Sequence, residues 1–167
     1  QLASESFVLS WAAKWEDEGK VHSDVLTAEE ALEEDDSRIV QSLADMVRAA
    51  DVVVAHNGDR FDLPVLNTRL IALQLEPVGK VVSVDTLKIA KRSFRFTYNR
   101  LGYLAEFLGH DSKSPMTMTD WIRAIKGDDK ALRKMDRYCR RDVRVLERVW
   151  HDLRQYADGL PRMVDAV

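Results

Sequence analysis

Two carboxylates, Asp62 and Asp142, stand where chemistry is the question. Asp142 lies in Tyr138-Cys139-Arg140-Arg141-Asp142-Val143, four residues after Tyr138 and so on the same face of a helix. With Tyr138 at zero on a wheel of about 100° per residue, Asp142 falls at about 40°. Val145, Leu146, Val149 and Leu153 fall within roughly 80° of the same line. The acid therefore sits in the apolar stripe, where an ionised carboxylate needs a partner. A hard divalent cation such as Mg²⁺ or Mn²⁺ would serve. An ion pair with Arg137, Arg140, Arg141 or Arg144 is the plainer alternative. Asp62 closes the stretch His56-Asn57-Gly58-Asp59-Arg60-Phe61-Asp62, where an apolar run breaks into a helix. Its plainer reading is an N-cap. Taken singly, His56 reads as a satisfied core histidine, Asn57 as a turn residue, Tyr138 as a half-buried aromatic and Asp85 as a cap.

The elements that must position these residues follow from periodicity. Residues 7–15 read as a strand, 16–20 as a polar turn and 21–25 as the return strand of a hairpin. The acidic run 29–36 reads as a solvated loop with a short helix. A helix begins at Asp36 or Ser37 with a good cap, and Ile39, Val40, Leu43, Met46, Val47 and Ala50 mark its packed face. Residues 52–55 are continuously apolar, which suits a strand covered on both faces. Asn57-Gly58 gives the turn, and Pro64 suits the first turn of the next helix. Residues 80–84 read as another buried strand, followed by a helix that Asp85-Thr86 caps and that runs to Arg92. Leu101, Leu104, Ala105 and Leu108 mark a helix within 98–108 that Gly109 ends. A polar loop, 111–117, contains Pro115. Trp121, Ile122 and Ile125 mark a helix closed by Gly127, and a long final helix runs from Lys130 to about Tyr156. The tail 158–161 leaves it. Hairpin, helix, strand, helix, strand and helices make an α/β chain with a mixed sheet.

Composition narrows the class. An apolar fraction of 46% with 32% charged residues is that of a soluble globular chain, and 167 residues suit a single domain. No apolar run approaches the roughly 20 residues that span a membrane. A single cysteine, Cys139, excludes an internal disulfide and fits a reducing compartment, hence the cytoplasm. A net charge of −3 confines any nucleic-acid contact to a local patch.

Asn57, Phe61 and Asp62 after a strand, then Tyr138 and Asp142 on a late helix about 80 residues on, form a pattern of Asn-x-x-x-Phe-Asp and Tyr-x-x-x-Asp. In this the chain resembles the DnaQ-like 3′–5′ exonucleases of the ribonuclease H-like superfamily, particularly phage and bacterial polymerase-associated members. Arg137 stands where one branch carries histidine, so Tyr138 resembles the tyrosine (DEDDy) branch. The resemblance implies a ribonuclease H-like mixed sheet and phosphodiester hydrolysis with two Mg²⁺ or Mn²⁺ ions. It implies that Asp142 and Asp62 ligate metal, that Tyr138 orients the attacking water, and that Phe61, His56 and Asn57 shape the nucleotide site. The implied substrate is the 3′ end of single-stranded DNA, with RNA as an alternative. The implied partner is a DNA polymerase, and the setting a bacterial or phage-infected cytoplasm. Arg92, Arg95, Tyr98 and Arg100 are candidate backbone and stacking contacts for a single strand. Solvated helix-flanking charges are the plainer reading of those four.

The family's first motif, Asp-x-Glu on a central strand, is not visible: Glu5 stands alone, with Ala3 where the aspartate belongs. Two of the four expected carboxylates are thus missing, and with them the strand between the hairpin and residues 52–55. The expectation is a single domain, 1–167, incomplete at its N-terminus by roughly 20–30 residues. A non-catalytic scaffold that binds nucleic acid or a polymerase is the alternative function.

Overall fold

The computed structural model describes residues 7–111 and 116–157. Glu5, Pro115 and the tail 158–161 lie outside them. The chain begins with β1 (Ser10–Lys14), which pairs antiparallel with β2 (Val21–Val25) in the register Ser10 to Val25 and Lys14 to Val21. The acidic run does contain a short helix, α1 (Ala28–Leu32), opened by a capping box in which Thr27 and Glu30 satisfy each other's backbone N–H. Helix α2 (Ser37–Ala49) follows as expected, with Asp36 at the N-cap position. The capping role is a correction. The Asp36 side chain makes no cap hydrogen bond; it is fully buried and accepts from Arg69 Nε at 2.8 Å, Arg69 Nη2 at 2.7 Å and the Val8 N–H at 2.9 Å. A buried carboxylate goes to the cation that neutralises it.

Strand β3 (Val53–Ala55) pairs parallel with β4 (Ser83–Asp85) through Val53–Ser83, Val54–Val84 and Ala55–Asp85. The second apolar strand is therefore shorter and later than 80–84, and Val82 contributes a carbonyl to the Val53 N–H at 2.9 Å from outside the ladder. Helix α3 (Asp62–Ala72) joins the two strands. Then come α4 (Thr86–Ser93), α5 (Leu101–Phe107), α6 (Met118–Ile125) and α7 (Asp129–Leu153), with a single 3₁₀ turn at Arg154–Tyr156. Residues 94–100, part of which the periodicity places in a helix, are non-helical.

The architecture is mixed α/β, an antiparallel hairpin and a parallel pair flanked by helices, consistent with the expected ribonuclease H-like fold. The two pairs form separate two-stranded ladders, and no ladder joins them among the described residues. β3 is accordingly half-buried rather than buried, being paired along one edge.

The long helix α7 ties the halves together. Its N-terminal part, Ala131, Leu132 and Met135, packs with Leu9, Trp11, Leu26 and Ile39 on the hairpin side. Its C-terminal part, Val145, Val149, Trp150 and Leu153, packs with Ile89, Ala90, Leu104 and Ala105 on the parallel side. Tyr138 and Asp142 fall between these two cores.

Candidate active site

Asp142 is half-buried, and removal of water pushes its carboxyl above the ordinary carboxylate range. The Tyr138 hydroxyl, one turn earlier, hydrogen-bonds it and pulls partly the other way. Tyr138 is itself pushed up, first by burial and then by the Asp142 charge, so it stays a protonated donor at neutral pH. The arginines that offered an ion pair are engaged elsewhere or exposed. Arg140 holds Asp136 and Ser23, Arg141 reaches Asp111, and Arg144 donates to the Gly19 carbonyl. Among the described residues no cation pairs with Asp142.

Asp62 is the first residue of α3, and the N-cap position belongs to Phe61. No side-chain capping bond forms there, so the plainer reading of Asp62 does not hold. The residue is open to solvent at the helix start, while its Oδ2 faces the Gly58 turn, 3.8 Å from where a Gly58 Cβ would stand. Desolvation on that side, and then the Asp85 charge, push its carboxyl up.

Asp85 does more than cap. Its buried carboxylate accepts from the Leu87 N–H at 3.0 Å, as an N-cap should, and also from the Asn57 N–H at 2.7 Å and the Asp59 N–H at 3.4 Å. It thereby shapes the loop that leads into Asp62. Asn57 sits in the left-handed region at φ 63, which asparagine tolerates. Gly58 is required by close approach: a Cβ there would lie 2.6 Å from the Ala55 Cβ.

His56 is a half-buried strut. Its Nε2 faces the Asn99 carbonyl at 2.7 Å and must donate; its Nδ1 lies 2.8 Å from the Thr86 hydroxyl. Burial pushes its pKa down, so the ring is neutral at pH 7 and Nδ1 accepts. Both ring nitrogens are therefore occupied within the fold. Phe61, 58% exposed, projects beside Asp62 at the same turn. Tyr98 and Arg95 are exposed on the 94–100 segment, which His56 ties down through Asn99.

The structure thus gathers His56, Asn57, Phe61, Asp62 and Asp85 around one loop, and Tyr138 with Asp142 on α7. Neither Asp62 nor Asp142 acts on the other's carboxyl. Both are hard-oxygen donors without a cation partner among the described residues, which is the donor chemistry that Mg²⁺ or Mn²⁺ takes. As a set they are incomplete: among the described residues no three His, Cys, Asp or Glu side chains converge as a metal site. The contribution of Asp85 escapes sequence reasoning because a capping aspartate with one N–H partner and one with three look alike.

A family model described as RNase_H superfamily matches residues 5–154. With the mixed α/β architecture, this makes the chain a member of the ribonuclease H-like superfamily. Over 68 residues, 39% of the chain, it is 41% identical to a protein of Frog virus 3 (isolate Goorha) that bears the name "Putative DNA polymerase 060R". Over 55 residues, 33% of the chain, it is 42% identical to the DNA polymerase III PolC-type of Ureaplasma parvum serovar 3. The matched segments span 6% and 4% of those relatives' lengths. No solved structure matches significantly. Among the described residues no helix is long and apolar enough to cross a membrane.

Proposed function

We propose that the chain is a DEDDy-type 3′–5′ exonuclease domain that trims single-stranded DNA ends beside a polymerase. Membership of the ribonuclease H-like superfamily and similarity to polymerase proteins support nuclease chemistry in general. The observation that carries the finer reading is that two carboxylates pushed up by desolvation, half-buried Asp142 and Asp62 shielded only on its Gly58 side, neither cap a helix nor meet a protein cation among the described residues. The buried Asp36, by contrast, is paired with Arg69. Two divalent ions, when bound, would supply an activated water and counter-charge for the leaving 3′ oxygen. Asp62 and Asp142 are the residues to hold them. Tyr138, kept protonated, donates to Asp142 and retains an oxygen lone pair that can orient a water. Phe61 offers an exposed face to the terminal base, and the His56–Asn57 turn sets its position.

In this reading Asp62 and Asp142 are two members of a larger carboxylate set. The scaffold alternative draws on the absence of a three-carboxylate cluster among the described residues. One experiment separates them: a 5′-labelled single-stranded oligonucleotide incubated with Mn²⁺, Mg²⁺ or chelator, beside Asp142→Ala and Asp62→Ala. A metal-dependent ladder shortening from the 3′ end, lost in both variants, is expected. Absence of cleavage, with no thermal stabilisation by Mn²⁺, would favour the scaffold.

A further inference from the structure

Helix α6 turns its apolar side outward. Met118, Trp121, Ile122 and Ile125 recur at i, i+3, i+4 and i+7, which is one stripe of a helix, and all four are exposed. Ala124 is the buried residue of α6. Leu32 of α1, 68% exposed, lies beside the end of this helix. A Cβ on Gly127, two residues after Ile125, would stand 2.8 Å from the Leu32 Cγ and 2.8 Å from the Ala28 carbonyl oxygen. α1 and the end of α6 are therefore packed closely and present one preorganised surface. Its five apolar side chains are nearly half of the eleven large apolar or aromatic ones that are exposed among the described residues. Singly exposed apolar residues are ordinary, but a group of this kind marks an interaction surface.

The charges around this surface are sorted by sign. From Val21 to Ser37 there is no lysine or arginine. Glu30 there pairs with Arg38 and Asp36 with Arg69, whereas the exposed Glu29, Glu33 and Glu34 have no cation partner among the described residues. On α6 and the start of α7 it is the acids that are used up. Asp120 pairs with Lys134, Asp129 pairs with Arg133, and Asp128 accepts from the Ala131 N–H. Arg123, Lys126 and Lys130 are exposed and have no carboxylate partner among the described residues. Unpaired surface charges are common, and the arrangement is what selects an occupant. One apolar surface carries acids on α1 and bases on α6. A two-fold axis through it sets α1 of each copy against α6 of the other, so that the surface complements itself. A uniformly acidic or basic partner would instead meet like charges at one of the two helices.

We propose that α1 and α6 form the interface of a two-fold homodimer. Leu32, Met118, Trp121, Ile122 and Ile125 make its apolar centre, and Glu29 and Glu33 of one copy face Arg123 and Lys126 of the other. An apolar centre with a charged rim is the usual anatomy of an interface. Tyr138 and Asp142 lie about 12 and 18 Å further along α7 than Lys130, at 1.5 Å per residue. Association through α1 and α6 thus leaves the candidate site open, and the inference does not depend on the nuclease reading.

The test is sedimentation equilibrium of the chain from about 1 to 100 μM, the range in which an interface of modest affinity dissociates. A monomer–dimer equilibrium that weakens with added salt is expected. Ile122→Glu should raise the dimer dissociation constant about tenfold or more. Ile71→Glu, which changes another outward apolar residue on α3, should leave it unchanged. The deciding arm exchanges the charges. Arg123→Glu/Lys126→Glu and Glu29→Lys/Glu33→Lys should each be monomeric alone, because like charges then face each other across the axis. Mixed in equal amounts, they should form a heterodimer about as tight as the wild-type pair, since both α1–α6 contacts are again attractive. This recovery needs folded chains, so it decides the matter even if Ile122→Glu disturbs the fold. A wild-type chain that is monomeric throughout, an equal weakening by Ile71→Glu, or mixed variants that associate no better than each alone would overturn the homodimer.

Discussion

Asp85 lies close enough to Asp62 that its negative charge, after desolvation, helps push the Asp62 carboxyl up. One acid builds the loop and the other ends it. Asp85 is buried and satisfied by three backbone N–H groups, whereas Asp62 is left without a cap or a cation. A cation drawn to Asp62 would also be favoured by the charge behind it. Asp85→Asn keeps the shape but turns part of the acceptor into a donor that faces N–H groups. It should cost about 1–3 kcal/mol of stability, measured by urea unfolding. It should also lower the Asp62 pKa toward its ordinary value, as read by carboxyl NMR titration. An unchanged Asp62 titration would show that the two carboxyls do not sense each other.

Gly58→Ala tests the same loop sterically. The new Cβ would meet the Ala55 Cβ at 2.6 Å, and neither atom can withdraw without moving backbone. A loss of about 1–3 kcal/mol is expected, as for overpacking elsewhere. Since Asp62 Oδ2 also borders this space, weaker Mn²⁺ stabilisation should accompany it. A variant as stable as wild type would mean that the turn is looser than its geometry implies.

His56 makes stability depend on pH. Its folded pKa lies below the unfolded value of 6.5, chiefly through burial. Lys91 lowers it further, while the Asn99 carbonyl and Asp85 raise it. Below pH 6.5 the unfolded chain therefore binds more protons than the folded one, and stability falls as pH drops until the folded ring titrates. Above that range the contribution is complete. His56→Gln should flatten the slope of unfolding free energy between pH 6.5 and the onset of carboxylate titration. An unchanged slope would place the dependence on another group.

How much of this is legible in the sequence depends on the range of each interaction. α7 is legible because Val145, Leu146, Val149 and Leu153 repeat at helical spacing. The Tyr138–Asp142 pair is legible because four residues make one turn. Asp36 is misread as a cap because its partner, Arg69, lies 33 residues away on another helix. In α6 the residues that betray the helix, Trp121, Ile122 and Ile125, face outward, and Ala124 alone is buried. Periodicity finds an apolar face without saying whether a neighbour covers it. The division into two ladders is not legible in the sequence, because periodicity within a segment does not say which strands pair.

Asp142 carries a cost in stability. Its carboxyl is pushed up in the folded state by desolvation, more than the Tyr138 hydroxyl draws it down. The folded protein therefore bears a penalty whenever this group is ionised. The penalty is complete at neutral pH, shrinks as pH falls through the raised folded pKa, and vanishes below the unfolded value of 3.8. Asp142→Asn removes the charge while keeping an oxygen for Tyr138. In chelator it should melt at a higher temperature than wild type at pH 7, and with no advantage at pH 3. With Mn²⁺ the order should narrow or invert, because mass action stabilises only the chain that binds the ion. Differential scanning calorimetry at the two pH values, with and without Mn²⁺, reads all four cases. If Asp142→Asn destabilises the metal-free protein at pH 7, the carboxylate is a structural hydrogen-bond acceptor rather than a group held for a cation.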